Sequence, residues 1–94
     1  MMTRDEIEAD RIERLEKFGR EMADNPDWRA HFAAGSFGCH EALHTASILQ
    51  AVVEENLVDH PAVLLDPEWF ALASRASEAL ADLYQAIGGC HGER

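Results

Sequence analysis

The sequence has no long apolar run and contains few cysteines, glycines and prolines. Its 94 residues hold no apolar run near the roughly 20 residues that a membrane-spanning helix needs. Two cysteines are too few for a disulfide scaffold. With only six glycines and three prolines, and with 47% hydrophobic residues, the chain is not of the low-complexity or disordered class. We therefore expect a single small domain over residues 1–94.

Basic residues are also scarce. Eight Lys and Arg against eighteen Asp and Glu give a net charge of −10, which argues against direct binding to nucleic acid. The acidic excess is dispersed along the chain, as expected of a solvated surface, but such a surface can also occupy the basic groove of a nucleic-acid-binding protein. The first residues are charged where a signal peptide needs an apolar segment, so we expect a cytoplasmic protein without membrane contact.

No alternating β-branched stretch is present, and every apolar pattern has the period of a helix. Thr3, Ser36 and Asp66 are candidate N-caps, and Pro67 suits a first helical position. The predicted fold is an all-α helical bundle of three long helices and one short helix. Its helices cover about residues 3–23, 26–34, 37–58 and 67–87. A short apolar connector joins the last two, so we expect them to pack as an antiparallel hairpin.

The helix over 37–58 is apolar on two sides. One face should pack inside the hairpin, while a second strip lies on nearly the opposite side. A bundle of this size has a thin core, and self-association is a common way to bury more surface. We therefore predict that the second strip binds a protein partner, with a homodimer as the expected assembly. Its residues are Phe37, His44, Ile48 and Val52.

The same helix carries the pattern H-E-x-x-H, from His40 through Glu41 to His44. In zinc peptidases two imidazoles four residues apart grip one Zn²⁺ while the Glu activates its water as general base. The extended form of the motif is absent, because Ser47 and Gln50 stand where it needs Gly and His. A small zinc hydrolase is thus the weakest of the readings.

A structural zinc site is a stronger alternative. An antiparallel hairpin would bring the start of helix 37–58 beside the end of helix 67–87, where Cys and His recur. The predicted ligand set is His40, His44, Cys90 and His91, with Cys39 as a replacement for one of them. The competing interpretations are surface histidines with Cys39 as a small core residue, and a Cys39–Cys90 disulfide.

The sequence as a whole favours a non-enzymatic, acidic helical protein that acts by protein–protein binding, through self-association or through inhibition or regulation of a partner. No cofactor is expected on this interpretation. The alternatives are a Cys/His zinc-binding protein and, less favoured, a zinc hydrolase that uses Glu41.

Overall fold

The computed structural model describes residues 2–91, and the side chains of residues 2–89. Throughout this part of the chain every regular element is helical, as the periodicity predicts. The chain divides into two compact units, the first ending at Ala30 and the second beginning at His31. The helices are α1 (Arg4–Glu21), α2 (Trp28–Phe32), α3 (Phe37–Val53), a π-helical turn (Glu54–Val58), α4 (Pro61–Leu64) and α5 (Pro67–His91).

In the first unit, α1 begins at the predicted capping box. The Thr3 side chain accepts a hydrogen bond from the Glu6 backbone N–H at 3.1 Å, and the Glu6 carboxylate accepts one from the Thr3 N–H at 2.8 Å. Together these bonds satisfy two donors that a helix start leaves without partners. At the other end of the unit, the rings of Phe18 and Trp28 meet edge to face, with centroids 5.0 Å apart.

The spacing of charges on α1 predicts three i,i+4 pairs with the acid first: Asp10–Arg14, Glu13–Lys17 and Glu16–Arg20. Asp10 and Arg14 form the i,i+4 pair that the spacing predicts, at 3.0 Å. Lys17 instead lies 4.0 Å from Glu21, four residues towards the carboxyl end. All of these side chains are solvent-exposed, and exposed pairs exchange partners at little cost in free energy.

The second unit is built on α3 and α5, which pack against each other. α3 begins where Ser36 accepts a hydrogen bond from the Cys39 N–H at 3.1 Å, and α5 begins where Asp66 accepts bonds from the first turn. The apolar sequence of residues 62–65 favours a segment that closes one end of the core, but most of this segment is exposed. It forms α4, capped by the His60 ring, and Leu65 at its end is 85% exposed.

α5 differs from the sequence prediction at its carboxyl end. The sequence predicts a helix over 67–87, because two glycines, Gly88 and Gly89, follow it, but the helix continues through both to His91. A glycine ends a helix by adopting positive φ, and among the glycines of the described chain only Gly35 does so. Gly35 separates α2 from α3.

The interior of this unit is small. The buried residues of the described chain are Ala46, Val58, Ala73 and Ser77, and no large side chain there is fully buried. The helical spacing of Trp69 and Leu72 favours a place in the core for both, but each is more than half exposed. The buried residues of the two helices are therefore all small, and much of the helices' apolar surface is left exposed.

Candidate functional site

The strip predicted to bind a partner lies on the outer side of α3. Phe37 is 76% exposed, Ile48 49% and Val52 47%, and His44 is exposed as well. Steps of seven, four and four residues keep these side chains on one face of a helix. We call Phe37, His44, Ile48 and Val52 the outer stripe of α3.

The opposite side of α3 makes the contact with α5 through small and polar groups. Gln50 Nε2 donates a hydrogen bond to Ser77 Oγ at 3.1 Å, and Ser77 Oγ donates to Glu54 Oε1 at 2.6 Å. Ser77 is only 5% exposed, so these bonds satisfy a hydroxyl that would otherwise be buried without partners. Nothing in the sequence pattern separates Ser77 from the other serines, because its role depends on which helix face meets α3.

A second apolar surface, which sequence reasoning did not single out, lies on α5. A groove of about 400 Å³ is lined by Leu57, Val63, Trp69, Leu72, Ala73 and Ala76. All six lining side chains are apolar, and Trp69 and Leu72 stand 55% and 60% exposed. The sequence does contain a signal for it, because helical spacing puts Trp69, Leu72 and Ala76 on one face; by the pattern alone, such a face is expected in the core.

The predicted metal ligands are placed only in part. His40 and His44 lie one turn apart on α3, both exposed, with Cys39 a half-buried free thiol beside them. The side chains of Cys90 and His91 fall outside the described residues. Among the side chains that are described, no three His, Cys, Asp or Glu residues converge as a metal site would require.

One contact concerns the distance between the two parts of the predicted ligand set, the histidine pair on α3 and the residues at the end of α5. A Cβ placed on Gly88 would lie 3.6 Å from Leu43 Cδ1, so the backbone near the end of α5 approaches the first turns of α3. Gly88 precedes Cys90 by two residues, and Leu43 lies between His40 and His44.

The pKa shifts lie away from these residues, on α1. The Arg11 guanidinium, hydrogen-bonded to the Glu8 carboxylate, lowers the pKa of Glu8, and the same pair raises the pKa of Arg11. Both groups are exposed, so water and salt screen the interaction. The Glu8–Arg11 pair is an ordinary i,i+3 ion pair on the exposed side of α1, and it gives no indication of a reactive site.

In comparisons with known proteins, no protein-family model, curated protein or solved structure gives a significant match to this chain. Among the helices of residues 2–91, none combines the length and apolar character that crossing a membrane requires.

Proposed function

We propose that this protein is a non-enzymatic binding module that acts through protein–protein contacts, built on an antiparallel hairpin of α3 and α5. The hairpin is supported by contacts whose order reverses between the two helices. Leu43 lies beside Gly88, and Gln50, seven residues later, bonds to Ser77, eleven residues earlier. Such a hairpin presents helix faces to partners without needing a cleft.

The exposed outer stripe of α3 carries this proposal. Burying one large apolar side chain completely stabilises a complex by about 1.5–3 kcal/mol, and Phe37, Ile48 and Val52 each leave about half or more of their surface in water. An apolar strip on a polar protein surface is typical of a contact site rather than of a solvated face.

The charge around the stripe indicates the chemistry of the partner. Glu41 is exposed and lies on the same side of α3 as Phe37 and His44, and the whole chain carries −10. A partner with an apolar groove and a basic rim would match both features. Proteins that bind nucleic acid have basic surfaces of this kind, and they are the partner class in which we expect the target.

The test is affinity capture with the immobilised wild-type chain and with Ile48→Asp, followed by mass spectrometry of the retained proteins. The substitution places a charge in the middle of the stripe, so we expect the specific partner to be lost. Leu65→Asp is the matched control, because Leu65 is still more exposed and lies off the stripe.

A partner that binds wild type and Ile48→Asp equally would contradict the role of the stripe. Salt adds a second criterion: binding that relies on the acidic surface weakens as ionic strength rises, whereas apolar anchoring does not. Both variants are first checked by circular dichroism, so that loss of binding is not loss of fold.

The alternative is a structural zinc site formed by His40, His44, Cys90 and His91. It is supported by the approach of Gly88 to Leu43, which brings the backbone before Cys90 towards the histidine pair. Two Cys/His pairs from separate helices would complete the tetrahedral coordination that structural Zn²⁺ prefers.

Native mass spectrometry of the purified chain, before and after treatment with chelator, tests this alternative. A zinc mass that is lost in His44→Ala, together with a lower melting temperature after chelation, would support it. If chelator changes neither the mass nor the melting temperature of the wild-type chain, the structural zinc site is wrong.

A further inference from the structure

The apolar groove on α5 belongs to a longer stripe. Starting at Trp69, apolar residues recur at steps of three or four along the helix, and no charged residue interrupts them. This spacing is that of the contact seam between packed helices. We call the stripe, whose members follow, the α5 stripe. They are Trp69, Leu72, Ala76, Leu80, Leu83 and Ile87.

The side of the hairpin that carries the α5 stripe is open. Trp69 is 55% exposed, Leu72 60% and Leu83 48%, and Leu57 of the π-helical turn adds a half-exposed side chain to the groove. Leu80 and Ile87 are half-buried, at the edge of the stripe that borders α3. The other side of the hairpin carries a groove in which four of the five lining residues have a polar group; the lining is Ser47, Gln50, Ala81, Tyr84 and Gln85. A pair of helices with one apolar and one more polar side has the pattern expected of half of a four-helix bundle.

The second unit has a small interior, so it would gain stability if a further pair of helices covered its apolar side. Ala46, Val58, Ala73 and Ser77 are the buried residues of the described chain, and no large side chain there is fully buried, so the second unit leaves much apolar surface in water. Small domains in this position gain stability by burying more surface in an oligomer.

The positions of the α5 stripe are nearly symmetric in sequence about Glu78. This symmetry favours a second copy of α5 as the partner that covers the stripe. Trp69 and Ile87 lie nine residues to either side of Glu78, and Ala76 and Leu80 lie two to either side. Leu72 lies six before it and Leu83 five after. Two copies of this helix, packed antiparallel about an axis near Glu78, would therefore place apolar residues opposite apolar residues along the whole seam.

The charges beside the stripe obey the same symmetry. Arg75 lies three residues before Glu78 and Asp82 four after it, and both lie on the same flank of α5. In an antiparallel pair, equivalent flanks face each other, so Arg75 of each copy would meet Asp82 of the other. Arg75 is the one Lys or Arg of residues 31–91, and this pairing places it against an acid.

We infer that the α5 stripe is a homodimer interface, in which a second copy packs antiparallel about Glu78 to form a four-helix bundle of two hairpins. The inference rests on the proposed function, because the dimer is itself a protein–protein contact. It uses a different surface from the outer stripe of α3.

The size of the surface fits. The stripe from Trp69 to Ile87 is about 27 Å long, and two helices each about 10 Å wide give a footprint on the order of 500 Å². Accessible area exceeds a flat footprint, because side chains project from it. The surface therefore reaches the lower end of the range for stable interfaces, about 600 Å² per partner.

The first test measures mass in solution by light scattering after gel filtration. We expect a dimer for wild type and a monomer for Leu72→Glu, because each dimer would bury two added charges at the seam. Leu65→Glu makes the same change at a more exposed leucine outside the stripe, and we expect it to stay dimeric. A wild-type monomer, including one whose own α1 covers the stripe, would overturn the inference.

The second test addresses the register through charge reversal. Arg75→Asp brings like charges together across the interface and should weaken dimerisation, and Asp82→Arg should do the same. The double variant Arg75→Asp/Asp82→Arg restores opposite charges between the copies, so we expect the dimer to recover. Double-variant dimers no tighter than those of the single variants would exclude this pairing.

The third test addresses direction by cysteine cross-linking in a Cys39→Ser/Cys90→Ser background. Ala79 and Ala86 are seven residues apart and occupy equivalent helix positions. In the antiparallel dimer, Ala79→Cys lies near the axis, whereas two Ala86→Cys residues lie about 24 Å apart along the helix. We expect a disulfide-linked dimer from Ala79→Cys alone; linkage from both positions would indicate a parallel dimer and overturn the proposal.

Failure of this inference is distinguishable from failure of the proposed function. If Ile48→Asp gives monomers and Leu72→Glu remains dimeric, self-association uses the outer stripe of α3, and the α5 interface is wrong. If wild type is monomeric and still captures a partner through Ile48, the binding function stands without the dimer. If Leu72→Glu is monomeric and Ile48→Asp is dimeric, the α5 interface is supported whatever the capture experiment gives.

Discussion

Among single residues, Ser77 has the clearest structural role. It is a hydroxyl held at 5% exposure, donating to Glu54 and accepting from Gln50 across the contact between α5 and α3. A buried polar group of this kind costs little when it is paired and much more when a partner is removed. It also fixes the rotation of one helix against the other, because only one helix face can supply the hydroxyl.

We predict that Ser77→Ala lowers the free energy of unfolding by about 1–2 kcal/mol, since it removes two hydrogen bonds and leaves Gln50 and Glu54 without their shared partner. Urea denaturation followed by circular dichroism measures the change. Ser74→Ala is the matched control, a half-buried serine one turn earlier on α5, and it should shift the midpoint far less. Equal effects of the two substitutions would show that the Ser77 bonds contribute nothing specific.

Gly38 is required by a close approach. A Cβ at this position would clash with the Phe32 ring and would lie 2.5 Å from the His31 carbonyl oxygen, which is backbone that cannot rotate away. The end of α2 can thus reach α3 only because residue 38 has no side chain.

We predict that Gly38→Ala destabilises the second unit by about 1–3 kcal/mol, the usual cost of forcing an extra methyl group into a packed contact. The control is Gly89→Ala, where a Cβ meets nothing within 4 Å, and alanine should raise stability by up to about 1 kcal/mol through helix propensity. Thermal melts of the two variants should shift in opposite directions. A rise in melting temperature for both would show that the Phe32 segment moves aside freely.

At the scale of elements, the helix starts are set locally. Thr3, Ser36, His60 and Asp66 each accept a backbone N–H of the first turn, and each lies directly before its helix. Because these bonds span only two or three residues, the chain around each start contains all the information needed to form it. The sequence-predicted starts at Thr3, Ser36 and Asp66 are confirmed for this reason.

The cap at Asp66 offers a test. Its Oδ1 accepts hydrogen bonds from the Glu68 N–H at 3.0 Å and from the Trp69 N–H at 3.1 Å, just before Pro67 begins α5. We predict that Asp66→Ala lowers the free energy of unfolding by about 1 kcal/mol, while Asp66→Ser retains most of it. Chemical denaturation of both variants measures the difference, and an Asp66→Ser variant no more stable than Asp66→Ala would rule out the capping role.

Helix ends follow the sequence less well than helix starts. α3 passes into a π-helical turn at Glu54, where the Asp59 N–H bonds back to the Glu54 carbonyl at 3.2 Å, and α5 continues through two glycines. A π-turn adds a residue to the ladder and changes which side chains share a face. The simple period of 3.6 therefore does not carry across it, and the placement of Leu57 and Val58 could be seen only in the fold.

For the whole molecule, the proposed dimer links folding to association. A second copy that binds only the folded chain stabilises it by mass action, so stability depends on protein concentration. A chain whose second unit has so few buried residues should show this dependence clearly.

We predict that the melting temperature of the wild-type chain rises as its concentration increases from the low to the high micromolar range. Leu72→Glu should melt at a lower temperature that does not change with concentration, because it folds without a partner. Differential scanning calorimetry at several concentrations makes the measurement. Concentration-independent melting of the wild type would mean that the second unit is stable without a partner copy.

The sequence by itself determined the features that depend on near neighbours: the all-helical class, three of the helix starts, and the two-sided character of α3. It also marked the apolar residues of α5, because an uninterrupted stripe is visible in the spacing alone. Periodicity reports that a face is apolar and is silent on what covers it.

Only the tertiary structure decided which apolar faces meet inside the chain. α3 and α5 approach through Ala46, Ala73 and Ser77, since small side chains let two helix backbones come close, and this leaves Trp69 and Leu72 on the open side. The hydrophobic effect is not directional, so the same apolar pattern is compatible with burial in the core of one chain or in an interface between chains. The rotation of the helices, set by small residues and the Ser77 hydrogen bonds, selects between them.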